Sequence, residues 1–211
     1  MSRLVICVLL SFCGAVAMAS ETVEVAVQMV QHDWEVANYQ SDTTEQNTRW
    51  EDLATKAHAV SANFPGRAEP LIWEGITLSS WAGHQGGLSA LSLVKEAKTL
   101  FEKALAINPD ALDGSAYSSL GVLYYKVPGW PLGFGNNDKA RELLETALTL
   151  NPRGIDPNYF YAEYLLEMGQ TEQATLYLRR ALAAPARAGR HIADTGRKEA
   201  IKALLSQLQS S

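Results

Sequence analysis

The stretch at residues 140–152, which reads ARELLETALTLNP, decides the fold of this chain. Ala140, Leu144 and Ala147 are spaced i, i+4 and i+7, so they fall on one face of a helix. The two alanines let a neighbouring helix approach closely, and the leucine fills the space between them. The final Asn-Pro pair ends the helix, because proline cannot continue it and disfavours the helical region in the preceding residue. The pattern therefore predicts a helix whose apolar face packs closely against another helix.

The same small–large–small pattern occurs twice more in the chain. One copy starts at Ala97 and also ends in Asn-Pro, while the other starts at Ala174 and has its proline one residue early. The three copies start 43 and then 34 residues apart. A repeat of this length is typical of stacked helix pairs, in which each pair buries its apolar face against the next.

Each copy requires a partner helix before it, with a small residue where the two helices touch. Those small residues are Gly75, Gly121 and Ala162. The first two lie 22 and 19 residues before the following alanine, whereas the third lies only 12 residues before it. The longer spacings predict insertions in the first two turns, around residues 82–87 and 127–135.

The 12-residue spacing between Ala162 and Ala174, and the sequence around Gly121, resemble the tetratricopeptide repeat (TPR). Tyr117-x-x-Leu120-Gly121-x-x-Tyr124 matches the W-x-x-L-G-x-x-Y half of that repeat, whose period is about 34 residues. The resemblance covers residues 67–184 and implies a helical solenoid with a concave binding groove.

Helices are also predicted outside the repeats. Two helical stretches precede them, at about 23–39 and 45–62, and a loop over 186–195 leads to an amphipathic helix at about 197–208. The predicted fold is an all-α, TPR-like solenoid of about four helical hairpins with a C-terminal closing helix. Its predicted parts are a signal peptide (1–19), an N-terminal helical pair that is a degenerate repeat or a cap (20–66), TPR-like repeats with insertions (67–185), and a C-terminal loop and helix (186–211).

Residues 1–19 have the pattern of a secretory signal peptide. Arg3 supplies a positive charge, residues 4–10 are apolar, and an Ala-Met-Ala cleavage pattern precedes Ser20. The alternative is an uncleaved anchor, but the apolar run is shorter than the roughly 20 residues that span a membrane. Both cysteines lie in this segment, so the mature chain has none to form a disulfide. We expect a periplasmic protein that is soluble after cleavage.

Composition and motifs argue against catalysis and nucleic-acid binding. The chain has 211 residues with 18 basic and 23 acidic side chains, a net charge of −5, so no basic field draws it onto nucleic acid. Its four histidines lack metal-ligand spacing, and the sequence has no nucleophile elbow, P-loop or complete dinucleotide motif. We predict a protein that is not an enzyme and that has no cofactor or metal.

The TPR resemblance implies which side chains line the groove. Counted from the small residues, Ser118, Val122 and Tyr125 project from one first helix, and Tyr159 and Glu163 from the next. These side chains suit a partly apolar, hydrogen-bonding segment of a partner. Few Lys or Arg residues fall at these positions, so a strongly acidic tail is a poor ligand. The alternative is that these side chains form an ordinary solvated face.

The insertion at 127–135 is a second candidate surface. Leaving Trp130 and Phe134 in water costs roughly 1.5–3 kcal/mol for each large apolar side chain. Either these rings fold back onto their own helices, or they contact a partner. Two prolines and three glycines give the loop a fixed path with sharp reversals.

The arginines near the C-terminus, at positions 187, 190 and 197, also have two interpretations. They either pair with acidic residues of a neighbouring protein or, as we favour, neutralise helix carbonyls and carboxylates of this chain. Exposed ion pairs contribute little on their own.

Several motifs together resemble the TatT-type periplasmic T component of TRAP transporters. They are Gly121-x-x-Tyr124, the Pro-Gly-Trp-Pro run at 128–131, NYFYAEYL at 158–165, and Ala-Pro-Ala-Arg at 184–187. The resemblance implies a helical TPR protein that associates with a periplasmic solute-binding protein. T components are often lipoproteins, and this chain departs from them because Phe12 precedes Cys13 where a lipobox needs a small residue.

These observations predict an exported, non-catalytic TPR adaptor that binds another periplasmic protein through a concave groove and the aromatic insertions. The alternative is a T component of a TRAP-type transporter, which docks a solute-binding protein or holds a small hydrophobic ligand. The candidate binding residues are Ser118, Val122, Tyr125, Trp130, Phe134, Tyr159 and Glu163.

Overall fold

The computed structural model describes residues 23–40 and 46–210, so the predicted signal peptide at 1–19 lies outside the described residues. The described part consists of helices and contains no β-strand, which confirms the predicted all-α fold. None of these helices is long and apolar enough to cross a membrane. The helices are α1 (23–39), α2 (Gln46–Asn63), α3 (Ala68–Gln85), α4 (Gly87–Ile107), α5 (Ser115–Lys126), α6 (Asn137–Leu150), α7 (Ile155–Glu167), α8 (Thr171–Leu182) and α9 (His191–Ser210), with a short 3₁₀ helix at Ala111–Gly114.

Consecutive helices pack as hairpins, α3 with α4, α5 with α6, and α7 with α8. The contact in the first two hairpins lies at the predicted small residue. A Cβ placed on Gly75 would lie 2.7 Å from Phe101 Cε1, and one on Gly121 would lie 2.7 Å from Leu144 Cγ. Both distances are shorter than carbon atoms tolerate, so the large side chain of the second helix needs a glycine opposite it.

Helix ends follow the local sequence. Asn151, which precedes a proline, leaves the helical region at φ −135° and ends α6. Asn108 does the same for α4 at φ −152°. At the other end of α6, the side chain of Asn136 accepts a hydrogen bond from the backbone N–H of Lys139 at 2.9 Å, which satisfies one of the unpaired amides of the first turn.

Helix α9 begins at His191, inside the stretch predicted as a loop. The carboxylate of Asp194 accepts the backbone N–H of Arg187 at 2.8 Å and thereby fixes the turn before the helix. Gly196 lowers the helix propensity of this stretch, but a Cβ at this position would overlap the ring of Tyr39. The glycine is therefore required by a tertiary contact, and the helix continues through it.

Candidate binding surface

The C-terminal chain crosses from the end of α8 to α1, and we call residues 184–197 the closing segment. Arg190 donates a hydrogen bond through Nε to the carboxylate of Glu35, with side chains 14% and 2% exposed. The Arg190 guanidinium also lies 5.0 Å from the ring of Trp73. Ala193 is buried in the apolar cluster that includes residues of α1, α2 and α3. These contacts bring the start of α9 and the chain before it against α1.

The other side of the closing segment is tied to the first turn of α7 through Asp156. Arg187 Nη1 lies 2.7 Å from Asp156 Oδ2, and Arg197 Nε lies 3.1 Å from Asp156 Oδ1. Arg187 also pairs with Asp194 at 2.7 Å. Burial alone would raise the pKa of Asp156, but the two guanidinium groups outweigh it and hold the pKa below its ordinary value. The interpretation that these arginines neutralise carboxylates of their own chain agrees with these contacts.

A pocket of about 570 Å³ remains between the concave face and the closing segment. Its volume falls within the range of small-molecule sites. The apolar side chains that line it include Trp34, Trp73, Ile76, Val122 and Phe160. The polar side chains include Ser118, Ser119 and four arginines, at positions 153, 187, 190 and 197. The last three pair with carboxylates, whereas Arg153 makes no ion pair within the described residues.

The predicted groove residues separate into two groups. Ser118 and Val122 line the pocket. The other group is joined by hydrogen bonds to Glu163. Tyr159 donates its hydroxyl to Glu163 Oε1 at 3.0 Å, and Tyr125 donates its hydroxyl to Glu163 Oε2 at 3.5 Å.

Tyr159, in the second group, is covered by a side chain of α9. The Arg197 guanidinium stacks 4.2 Å from the Tyr159 ring, which is 7% exposed. Burial, followed by the negative charge of Glu163, raises the pKa of both tyrosine hydroxyls, so they remain protonated donors. Arg197 of α9 therefore lies over part of this face, and both tyrosine hydroxyls already bond to Glu163.

We call the insertion between α5 and α6 the aromatic loop (127–136). Its two predicted binding residues, Trp130 and Phe134, lie in different environments. The Phe134 ring packs edge-on against Tyr124 at 5.5 Å between centroids and so folds back onto its own helices. Trp130 is 90% exposed, and Leu132 beside it is 68% exposed.

The backbone of the aromatic loop is held by its own hydrogen bonds. The N–H of Gly133 bonds to Gly129 O at 3.1 Å, Gly135 to Pro128 O at 3.0 Å, and Asn136 to Tyr124 O at 2.8 Å. A Cβ at position 135 would overlap the carbonyl of Val127. The exposed tryptophan therefore stands on a fixed loop that is closely packed at its base.

Sequence reasoning missed the side chains that α1 and the closing segment contribute to the pocket. Trp34, Asn38 and Arg190 come from parts of the chain that repeat counting does not place on the groove. The charges of Glu35 and Arg190 were a weak signal, since 155 residues separate them. As to metals, the described ranges bring together no group of three His, Cys, Asp or Glu side chains that could hold an ion.

Comparison with known proteins finds a family similarity in the C-terminal part of the chain. Residues 132–208 match the tetratricopeptide repeat family. The matched region runs from the aromatic loop to α9, so the similarity to this family covers that part of the chain. No curated protein matches the chain. The narrower resemblance to T components stays a prediction.

Two solved structures align with much of the chain. One is the crystal structure of TTC0263, a thermophilic TPR protein in Thermus thermophilus, which is 17% identical and has a TM-score of 0.41. The alignment covers 74% of this chain and 92% of that one. The other is the crystal structure of MamA, 18% identical with a TM-score of 0.35, over 68% of this chain and 92% of that one.

Proposed function

We propose that this protein is an exported, non-catalytic TPR adaptor that binds another periplasmic protein, and that the aromatic loop makes the central contact. The observation that carries the proposal is the exposure of Trp130 and Leu132 on a loop with a fixed backbone. Tryptophan is enriched among the residues that dominate binding energy at interfaces. A loop that is already ordered loses little conformational entropy when it binds.

The concave face between α5 and α7 is a weaker candidate for that contact. Both of its tyrosine hydroxyls bond to Glu163, and Arg197 covers Tyr159. A partner segment would have to displace α9, which is anchored by the fully buried Ile201. We therefore assign partner binding to the aromatic loop rather than to this part of the groove.

Site-specific photo-crosslinking tests this proposal. A photoreactive amino acid at position 130 is expected to crosslink one periplasmic protein, whereas the same amino acid at position 176 is not. Leu176 is a matched control because it is also apolar and 50% exposed, on α8. Trp130→Ala combined with Leu132→Ala should abolish recovery of the crosslinked protein by affinity capture, and Leu176→Ala should leave it unchanged. Equal recovery with all variants would contradict the proposal.

Export is tested separately, at the N-terminus. Cleavage after Ala19 would give a mature protein that begins at Ser20. N-terminal sequencing of the protein recovered from the periplasmic fraction should show this end. Recovery of the uncleaved chain from the membrane fraction would instead favour an anchor.

The pocket favours a second candidate, the T component of a TRAP-type transporter that holds a small hydrophobic ligand or docks a solute-binding protein. The supporting observation is a partly enclosed volume of about 570 Å³ with aromatic walls. Native mass spectrometry of the mature protein should then detect a retained ligand. Val122→Trp, which fills the pocket, should lose the added mass, while Leu176→Trp on the exposed face of α8 should keep it. An unliganded mass in wild type and both variants would contradict the ligand-holding form of this candidate.

A further inference from the structure

The closing segment meets the N-terminal helices at a contact that we call the seam. On one side lie Glu35, Tyr39 and Trp73, and on the other lie Arg190, Ala193 and Gly196. We propose that the seam is a gate to the pocket and that the Arg190–Glu35 pair is its latch. The gating role rests on the second proposed function, but opening of the seam is a property of the protein without a ligand.

The position of the seam supports this inference. Trp73 and Arg190, which touch each other across the seam, both line the pocket, and Trp34 and Asn38 extend the same wall along α1. Separation of the closing segment from α1 would therefore widen the pocket directly, without any change in the α5–α6 or α7–α8 hairpins.

The remaining contacts decide which side of the segment moves. Ala184 of the segment, and Ile201 in the part of α9 that follows it, are buried in one apolar cluster with residues of α7 and α8, and two arginines hold the segment to Asp156. The segment is thus part of the C-terminal body. On the N-terminal side Arg190 pairs with Glu35 and stacks on Trp73, Ala193 is buried among apolar side chains, and Gly196 packs against the Tyr39 ring. Among the described residues, one ion pair holds this side and two hold the segment to Asp156, so the seam is the weaker attachment.

The chemistry of the latch makes opening reversible. Burial of Glu35 and Arg190 removes both charges from water, a cost that their mutual attraction offsets only while they remain paired. When the seam opens, both charges are hydrated again, so the open state recovers much of what the pair provided. Local openings of this kind occur well below the free energy of global unfolding.

Hydrogen–deuterium exchange on the unliganded mature protein tests the latch. In wild type, peptides from residues 23–40 and 185–197 should exchange faster than peptides from α7. Arg190→Ala should increase exchange in both seam peptides by about tenfold or more and leave α7 unchanged. Arg190→Lys keeps the charge but loses the planar group that stacks on Trp73, so a smaller, several-fold increase is expected.

Lys126→Ala is the matched control. It also breaks an ion pair between two helices that are far apart in sequence, since Lys126 lies 2.6 Å from Glu167. That pair is half-exposed and lies away from the seam. This variant should leave exchange in the seam peptides at the wild-type rate. Seam exchange within twofold of wild type in both Arg190 variants would overturn the proposal. So would an equal rise in every peptide, including α7, because the seam would then open only with the whole fold. Absence of a retained ligand from the wild-type protein in native mass spectrometry would contradict the ligand-holding form of the second proposed function and leave the latch standing.

Discussion

The α5–α8 hairpins and the seam hold neighbouring helices together in different ways. In the hairpins, small residues lie among large apolar ones: Gly121 faces Leu144, and Ala162 and Leu178 are buried in one apolar cluster. At the seam, Gly196 also faces a large ring, that of Tyr39, but a buried ion pair between Arg190 and Glu35, 155 residues apart, is added to the apolar contact. The hairpin contacts are apolar and local in sequence, whereas the seam includes a charged pair between distant parts of the chain.

This difference has consequences for energy and for motion. Apolar contacts between close-packed side chains are lost steeply when atoms are removed or separated. A charged contact loses less on separation, because water replaces the partner. The hairpins are therefore suited to be the rigid frame, and the seam is suited to open.

The largest effect is expected in the frame. Leu144→Ala removes a fully buried side chain opposite Gly121, and it should lower the free energy of unfolding by about 3 kcal/mol. Urea unfolding followed by circular dichroism measures this change. Leu176→Ala, at an exposed position on α8, should change it by less than about 0.5 kcal/mol. Similar losses for the two variants would show that the frame is not the close-packed unit described above.

A smaller and pH-dependent effect is expected at Asp156. Asp156→Asn leaves Arg197 without its carboxylate and should cost about 1–3 kcal/mol at neutral pH. Because the folded-state pKa of Asp156 is lowered, its stabilising contribution is present above the unfolded-state pKa and is lost as the pH falls through the folded-state pKa. The difference between wild type and variant should therefore shrink below about pH 4. Urea unfolding at several pH values measures it, and a difference that stays constant into acid would contradict the assignment.

The aromatic loop offers a third comparison, between two of its own rings. Phe134→Ala removes the contact with Tyr124 and should destabilise the protein by about 1–2 kcal/mol, less than a fully buried ring would. Trp130→Ala should change stability by less than about 0.5 kcal/mol, because that ring is 90% exposed. Thermal unfolding of the two variants distinguishes them. A clear loss of stability from Trp130→Ala would mean that this ring packs on the fold and is not available to a partner.

The hairpins were predictable because their signals lie close together in the sequence. Small and large residues at i, i+4 and i+7, followed by Asn-Pro, predict both a helix and the face that it buries. Gly121 opposite Leu144 follows directly from that alignment. The start of α9 was not predictable in the same way, since Gly196 indicates a weak helix until the ring of Tyr39 is placed beside it.

The pocket was only half predictable, for a physical reason. Ser118 and Val122 lie on a repeat helix, and counting along the repeat places them on the concave face. Trp34 and Arg190 reach the same pocket from the two ends of the chain, and charges carry no periodic pattern that reveals their partner. The two rings of the aromatic loop were predicted as a pair, but only backbone geometry decides that Phe134 turns inward and Trp130 outward.

The smallest effect is expected at a charged contact outside both regions, between α2 and α3. His58 Nδ1 lies 2.7 Å from the buried carboxylate of Glu74, and that hydrogen bond, together with the carboxylate charge, raises the pKa of His58. Its contribution is therefore fully present below the unfolded-state pKa and is lost as the pH rises through the folded-state pKa. Because the imidazole is 71% exposed, solvent limits the contribution to roughly a few tenths of a kcal/mol.

NMR titration of His58 should accordingly give a pKa above 6.5, its ordinary value. His58→Gln keeps a hydrogen-bond donor near Glu74 but cannot become charged, so it should be less stable than wild type at about pH 5.5 and equally stable at about pH 8.5. The ion pair at the seam and the His58–Glu74 pair would then differ in effect because they differ in burial. A buried ion pair is able to control a movement of helices, whereas an exposed pair only adjusts stability with pH. A pKa at or below the ordinary value would show that Glu74 is satisfied by Ser61 alone, with which it also shares a hydrogen bond.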